Sequence, residues 1–361
     1  MLAKDGLLVG KKPPFVFHAA ISRMAAGALT CSGRQFYLTS EIKNKKRQKR
    51  RVVNINQYLC FLIEKQLDIV KGLVPYTINV GGRLLDLSEP VVMGILNATP
   101  DSFYAGSRRR TEAEIEARAC QIVEEGGAII DVGAYSTRPG AAKVSADEEM
   151  ERMRMALGAV RRAQPDAVIS VDTFRPEVSR MSVEEFGAGI INDVSGGNPE
   201  GSFGGEMMAE EAYCGPGDGL AYPMFREVAR LKVPYILMSS RPNMMSIMQD
   251  FAQKVQMLRD LGHKDIILDP GFGFGKTLAE NYEVLARLGL LREMELPVLV
   301  GVSRKSMISR LLGTDADGAL NGTTVVNTLA LACGGASILR VHDVRQCVEV
   351  VKIVKETMRY V

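Results

Sequence analysis

An α/β fold closed as a barrel of eight parallel strands with helices outside, a (β/α)8 or TIM barrel, is what three features of this sequence predict. From residue 91 onward the chain repeats one unit eight times: a short apolar run, a polar or glycine-containing turn, then a helical stretch. The apolar runs are near-continuous Val/Ile/Leu segments without polar alternation, the pattern of strands buried on both faces of a parallel sheet. Polar residues gather where these runs end, and in a (β/α)8 barrel that end forms the mouth that carries the site.

The eight runs are 91–97, 128–134, 167–173, 189–195, 235–240, 265–271, 297–303 and 336–342. Before them, 76–87 (YTINVGGRLLDL) reads as a hairpin, with Gly81-Gly82 supplying the positive φ of a tight turn between two short strands. Its place just ahead of the first barrel strand predicts a cap on the bottom of the barrel. Residues 54–75 have the spacing of one amphipathic helix. Residues 1–53 carry 12 Lys/Arg against 2 Asp/Glu, which leaves 33 against 40 for the rest. The division expected is therefore a basic N-terminal extension over 1–75, disordered or partly helical, and a catalytic barrel over 76–361. The densest basic stretch, Lys43 to Arg51, suits an anionic surface, but nothing else supports a nucleic-acid partner. One segment breaks the rhythm, a glycine-rich excursion between Gly196 and Pro223 that is long for a connection within a compact domain.

Several function classes lose support. No run reaches the roughly 18 apolar residues of a membrane span. The six cysteines are scattered without a CxxC pair or zinc-ligand spacing, which fits free thiols in a reducing cytoplasm. The segment GFGFGK resembles a P-loop but stands one residue short of the required spacing, and neither a nucleophile elbow nor a dinucleotide-binding glycine fingerprint is present.

The strand ends supply the candidate chemistry. After the first run, Asn97 and Asp101 offer an amide and a carboxylate oxygen, a donor pair suited to Mg²⁺, which keeps substrate phosphates and waters for its other positions. Phe103 lies in the same loop. After the second run, Thr137, Arg138 and Pro139 sit in a glycine-flanked loop that places an arginine over a bound anion. Asp172 and Asn192 end the third and fourth runs. With Asp269 they would read a flat heterocycle bearing an amino-pyrimidinone edge, because carboxylates accept where a carboxamide both donates and accepts. Phe272 and Phe274 look like walls of an aromatic pocket, Ser303, Lys305 and Ser306 lead into a helix, and Arg340 and His342 alternate outward from the last run toward the mouth.

Taken in order, GILNATPDSF, STRPGA, VDTFRPEV, INDVSGG, DPGFGFGK, SRKSMI and RVHDV resemble dihydropteroate synthase, over roughly residues 76–361. The resemblance implies a TIM barrel and the condensation of a hydroxymethyl-dihydropterin pyrophosphate with p-aminobenzoate in folate biosynthesis. It implies that Asp172, Asn192, Asp269, Lys305 and Arg340 hold the pterin, and that Phe103, Thr137, Arg138, Pro139, Phe274 and Ser306 form the p-aminobenzoate pocket. By the same resemblance Asn97, Arg340 and His342 surround the pyrophosphate, Asn97 helps bind Mg²⁺, and Asp101, Arg138 and Lys305 serve the reaction itself. A cytoplasmic homodimer acting on small molecules, with no membrane partner, is expected.

Three departures from the family's common pattern stand out: Ala105 where a second Asp is usual, Ser239 where a His is usual, and the excursion at 197–222. Two other readings share part of the pattern. A pterin-binding methyltransferase barrel would not need STRPGA or SRKS, and an inactive pterin-binding module would want lost loop motifs.

Overall fold

The computed structural model describes residues 76–98, 108–135, 144–198 and 222–360, with the side chains of 108–110 left aside, and the backbone of 27–32, 35–40 and 51–54. The chain divides into two units, residues 1–69 and 70–361. In the first, strands β1 (Gly27–Ser32), β2 (Gln35–Ser40) and β3 (Arg51–Asn54) form an antiparallel sheet in that order. None of these strands is expected from the basic extension, which reads as disordered or partly helical. The helix expected over 54–75 lies outside the described residues.

The second unit opens with the hairpin β4 (Thr77–Val80) and β5 (Arg83–Asp86), paired Val80 to Arg83 around Gly81 and Gly82 at φ 58° and 87°. Two successive positive φ values are what a type I′ turn demands and what glycine permits without a Cβ clash.

Eight parallel strands follow: β6 (Val91–Asn97), β7 (Ile129–Gly133), β8 (Val168–Asp172), β9 (Ile190–Asp193), β10 (Tyr235–Met238), β11 (Ile266–Asp269), β12 (Leu299–Val300) and β13 (Ile338–Val341). Each falls within one of the eight predicted runs. Their order in the sheet is β11-β10-β9-β8-β7-β6-β13-β12. A parallel bridge from Leu268 to Val298, with Leu268 N donating to Pro297 O at 2.8 Å, joins the two ends and closes the barrel.

The helices that cover this barrel are α1 (Arg108–Glu124), α2 (Ala146–Ala163), α3 (Pro176–Phe186), α4 (Pro223–Leu231), α5 (Met244–Asp260), α6 (Leu278–Ala286), α7 (Ser306–Leu312), α8 (Leu320–Ala332) and α9 (Val344–Met358), with a 3₁₀ turn over Leu288–Met294. Several starts follow local chemistry. Ser145 caps α2 by accepting from Glu148 N, while Asn243 with Ser246 and Thr277 with Glu280 make capping boxes for α5 and α6.

Two apolar clusters hold the unit together. The larger lies between strands and helices. The smaller fills the barrel's lower interior with Met93, Ile129, Ile190, Ile236, Ile267, Leu299 and Ile338, one residue from each of seven strands. Ile78, Val80 and Leu87 from the hairpin segment complete it, so the hairpin plugs the barrel floor as expected. The fit is tight at Gly189, where an added Cβ would stand 2.2 Å from Val80 Cγ1. Glycine there lets the plug seat. Gly189→Ala is therefore expected to destabilise the barrel by about 1–3 kcal/mol, the range for overpacking a filled core. Val80→Ala in the same chain should recover part of that loss in chemical denaturation, whereas additive losses would show that the two positions do not share one space.

Candidate active site

The period-2 alternation of the strands sends Asp131 and Gly133 of β7, Asp172 of β8, Asn192 of β9, Asp269 of β11 and Arg340 of β13 to the inside, above the apolar floor. The register pairs Asn97 with Gly133, Gly133 with Asp172, and Asp172 with Asn192, which sets these residues side by side at the rim. A Cβ on Gly133 would lie 3.5 Å from Asp172 Cβ and 3.8 Å from Asn97 Oδ1, so this glycine keeps open the space into which its two neighbours project.

Arg340 crosses the interior and binds two carboxylates. Its Nε donates to Asp131 Oδ2 at 2.6 Å and its terminal nitrogen to Asp172 Oδ2 at 2.7 Å. Asn192 Nδ2 faces both Asp131 oxygens at 3.3 and 3.4 Å. Asp269 Oδ1 accepts from Gly271 N at 2.8 Å. Lys305 donates to the Phe272 carbonyl, with its ammonium 4.5 Å from the centre of the Phe274 ring. His342 Nδ1 lies 3.0 Å from Ser303 Oγ, which also accepts from His342 N at 3.2 Å.

Electrostatics follow from enclosure. Burial pushes Asp172 up to about 7, and the Asp131, Glu149 and Asp193 charges add to this while Arg340 opposes it. Burial likewise raises Asp269 against the pull of Lys305. Lys305 is lowered to about 8 by burial, with Arg340 acting in the same direction and Asp269 and Asp172 opposing. Arg340 stays above the ordinary guanidine value, because the two carboxylates outweigh the burial that would lower it.

Of the residues chosen from sequence, Asn97, Asp172, Asn192, Asp269, Lys305, Arg340 and His342 belong to strand ends around this mouth, with Ser306 exposed at the first position of α7 and Phe274 beside Lys305. Asp101, Phe103, Thr137, Arg138 and Pro139 lie outside the described residues, as does Ala105. Phe272 is a correction: its side chain is fully buried in the strand–helix core and does not open onto the mouth. Ser239 is also fully buried, with its hydroxyl donating to Asp250 Oδ2 at 2.7 Å, so this departure places no side chain at the mouth.

Two functional features escaped sequence reasoning. Asp131 was hidden inside an apolar run, although an acid two residues before Gly133 has the inward parity of the strand. Lys276, considered only as part of a failed P-loop, donates to the carbonyls of Ser239, Gly271 and Phe274 at 3.2, 3.0 and 3.2 Å and thereby pins the loop after β11. An ammonium has three donors and here each finds a carbonyl.

A magnesium ion fits the residues present in a limited way. Among the described residues there is no group of three or more His, Cys, Asp or Glu that could hold a metal. Asn97, however, is exposed at the rim, and one protein oxygen suffices for Mg²⁺ when a diphosphate and waters provide the rest.

Paired acceptors, a carboxamide and two cations at one barrel mouth define a binding site for a flat, amino-bearing heterocycle that also carries negative charge. The chain belongs to the pterin binding enzyme family, whose model matches residues 93–342. It is similar to the dihydropteroate synthase of Escherichia coli strain K12, with 40% identity over 284 residues that cover 77% of this chain and 95% of that protein. Among solved structures, a Xanthomonas albilineans dihydropteroate synthase with 4-aminobenzoic acid aligns with TM-score 0.66 and 33% identity, covering 79% of this chain and 98% of that one. A Yersinia pestis enzyme with a pterine-sulfa conjugate aligns with TM-score 0.64 and 33% identity, covering 79% and 100%.

The titrating groups predict a bell-shaped profile. An ionised Asp172 is needed as acceptor and its charge is lost as pH falls through about 7; a charged Lys305 is lost as pH rises through about 8. Measured kcat/KM for a pterin substrate should therefore peak between these values. Asp172→Asn should abolish the acid limb together with most of the activity; a variant that keeps that limb assigns it to another group.

Proposed function

We propose that this protein is a dihydropteroate synthase, joining 6-hydroxymethyl-7,8-dihydropterin pyrophosphate to p-aminobenzoate and releasing pyrophosphate. The observation that carries this reading is the convergence of Asp172, Asn192, Asp269, Lys305 and Arg340 on one barrel mouth, in a chain whose relatives bear that name.

In the reaction the carbon–oxygen bond of the hydroxymethyl group breaks, pyrophosphate leaves with the electron pair, and the aniline nitrogen forms the new carbon–nitrogen bond and loses a proton. Asp172, Asn192 and Asp269 orient the ring by accepting from its edge. Removing one such charged acceptor strands its partners at a cost of about 2–4 kcal/mol. Arg340 lies along the pterin, and with His342 and Asn97 it surrounds the departing pyrophosphate. Charge on these groups favours the leaving group where charge develops. Mg²⁺, held through Asn97 and supported by Asp101, would supply further charge neutralisation of the pyrophosphate. Phe103, Thr137, Arg138, Pro139, Phe274 and Ser306 form the p-aminobenzoate pocket, and Arg138 and Lys305 serve the reaction itself. The aniline is neutral at pH 7, so the site needs no strong general base.

The protein works in the cytoplasm as a homodimer. Unpaired cysteine spacing supports the compartment, and no helix among the described residues is long and apolar enough to cross a membrane. Exposed Leu311, Leu312, Val325, Leu329 and Ile353 on α7, α8 and α9 support the dimer. Light scattering should return twice the 39.4 kDa chain mass.

The deciding measurement is pyrophosphate release from the pterin substrate. Release should require both p-aminobenzoate and Mg²⁺, fall to background with a chelator, and yield dihydropteroate in equal amount. Release that is indifferent to p-aminobenzoate would overturn the assignment.

A further inference from the structure

Asp131 has no explanation in the barrel itself. It is completely buried on β7, in a layer where its register neighbours are Ile95 and Ser170 and where such barrels place branched apolar side chains. Burying a carboxylate is costly, and a buried ion pair can often be exchanged for apolar residues without loss of stability. Its neighbours give it a role. Besides receiving Arg340 Nε, Asp131 faces the amide of Asn192, which is 1% exposed. An ionised carboxylate only accepts, so the NH₂ end of that amide must face it. The other end, Asn192 Oδ1, is then left buried with no hydrogen-bond partner within the protein. An orphaned buried acceptor at a ligand mouth calls for a donor from outside.

We propose that Asp131 is a positioning and specificity-determining residue, one that sets the hydrogen-bond polarity of the pocket. By committing the Asn192 NH₂ it presents the Asn192 carbonyl to the ligand, and by gripping Arg340 at Nε it fixes the guanidinium beside Asp172. The pocket thus shows its ligand a row of acceptors: Asp172, Asn192 Oδ1 and Asp269. It selects a ring edge made of N–H groups, an amino-pyrimidinone over a dioxo-pyrimidine. This inference rests on the pterin reading above and adds the residue that enforces it without touching the ligand. Arg340 can release Asp172 to an incoming ring edge while Asp131 keeps its hold, because the two carboxylates use different nitrogens of the guanidinium.

The test uses the full chain and calorimetric binding of two probes, 6-hydroxymethylpterin and its 2-oxo counterpart, 6-hydroxymethyllumazine. The unaltered protein should prefer the pterin; a protein that binds neither probe overturns the proposed function and this inference with it, whereas equal binding of the two probes overturns this inference alone. In Asp131→Asn the Asn192 amide is free to turn its NH₂ toward a ring oxygen. Pterin affinity should then fall tenfold or more, and the preference for pterin over lumazine should shrink by a similar factor. A merely structural role would weaken both probes alike and leave the preference unchanged, which overturns the proposal. Adding Asn192→Ala to Asp131→Asn should cost no further preference if Asp131 acts through that amide, whereas additive losses count against it. Should Asp131→Asn not fold, Asp131→Asn combined with Asn192→Asp conserves the buried charge and shape and again presents an acceptor. That combination should keep the pterin preference; its loss in a folded protein, or failure of both variants to fold, makes Asp131 structural and the proposal wrong.

Discussion

A single guanidinium enclosed in the barrel sets the terms for everything at its mouth. Arg340 reaches from the last strand to carboxylates on the second and third, so strands far apart in sequence are tied through one side chain. Three carboxylates, Asp131, Asp172 and Asp269, share this interior with the cations Arg340 and Lys305, and Lys276 acts on Asp269 from behind. Burial raises both Asp172 and Asp269, the neighbouring acids add to the rise at Asp172, and the carboxylates Asp131 and Asp172 hold Arg340 above its ordinary value. A neutral ring with N–H groups on its edge can take over hydrogen bonds from this set, while its anionic tail must go to the cations at the rim.

The division of the barrel into a dry floor and a polar upper layer makes this charge density tolerable. The floor residues and the hairpin plug exclude water from below, so the polar layer is solvated, or filled by ligand, from above. Rigidity around the mouth comes from hydrogen bonds within and between its loops. Lys276 gathers three carbonyls behind the loop that carries Phe274. Arg304, in the left-handed region at φ 57°, grips Asp343 with two hydrogen bonds of 2.9 and 2.8 Å. Next to it Ser303 meets His342, so two consecutive residues on one loop zip to two consecutive residues on the other.

The eight strands were readable because doubly covered parallel strands write themselves as apolar runs, and the rim residues because polar groups at the ends of such runs have no other purpose. The parity rule alone, applied to IIDVG, would have put Asp131 inside; the run of apolar neighbours masked it. In INDVSGG the same rule separates an adjacent amide and acid. Asn192 turns into the mouth, whereas Asp193 turns outward, accepting from Ser195, Gly197 and Tyr235 to organise the turn that follows. Sequence spacing could not show that Phe272 sinks into the core while Phe274 stays near Lys305, since two aromatics flanked by glycines can turn either way. Nor could it show the strands of residues 27–54, whose basic composition conceals their pairing.

The seam of the barrel has its own consequence. β12 contributes only Leu299 and Val300 to its ladder with β13 and meets β11 through one bridge, so fewer main-chain bonds hold this join than any other around the ring. Local opening in proteins begins where such bonds are sparse, at a free energy well below that of global unfolding. Here the sparse join stands directly between the strand that ends in Asp269 and the loop that carries Lys305. Opening of the barrel wall at this join would separate Asp269 from Lys305, and a ligand that contacted both would act as a suture across the gap. Slowed amide exchange in β12 on ligand binding is the form in which this coupling becomes visible.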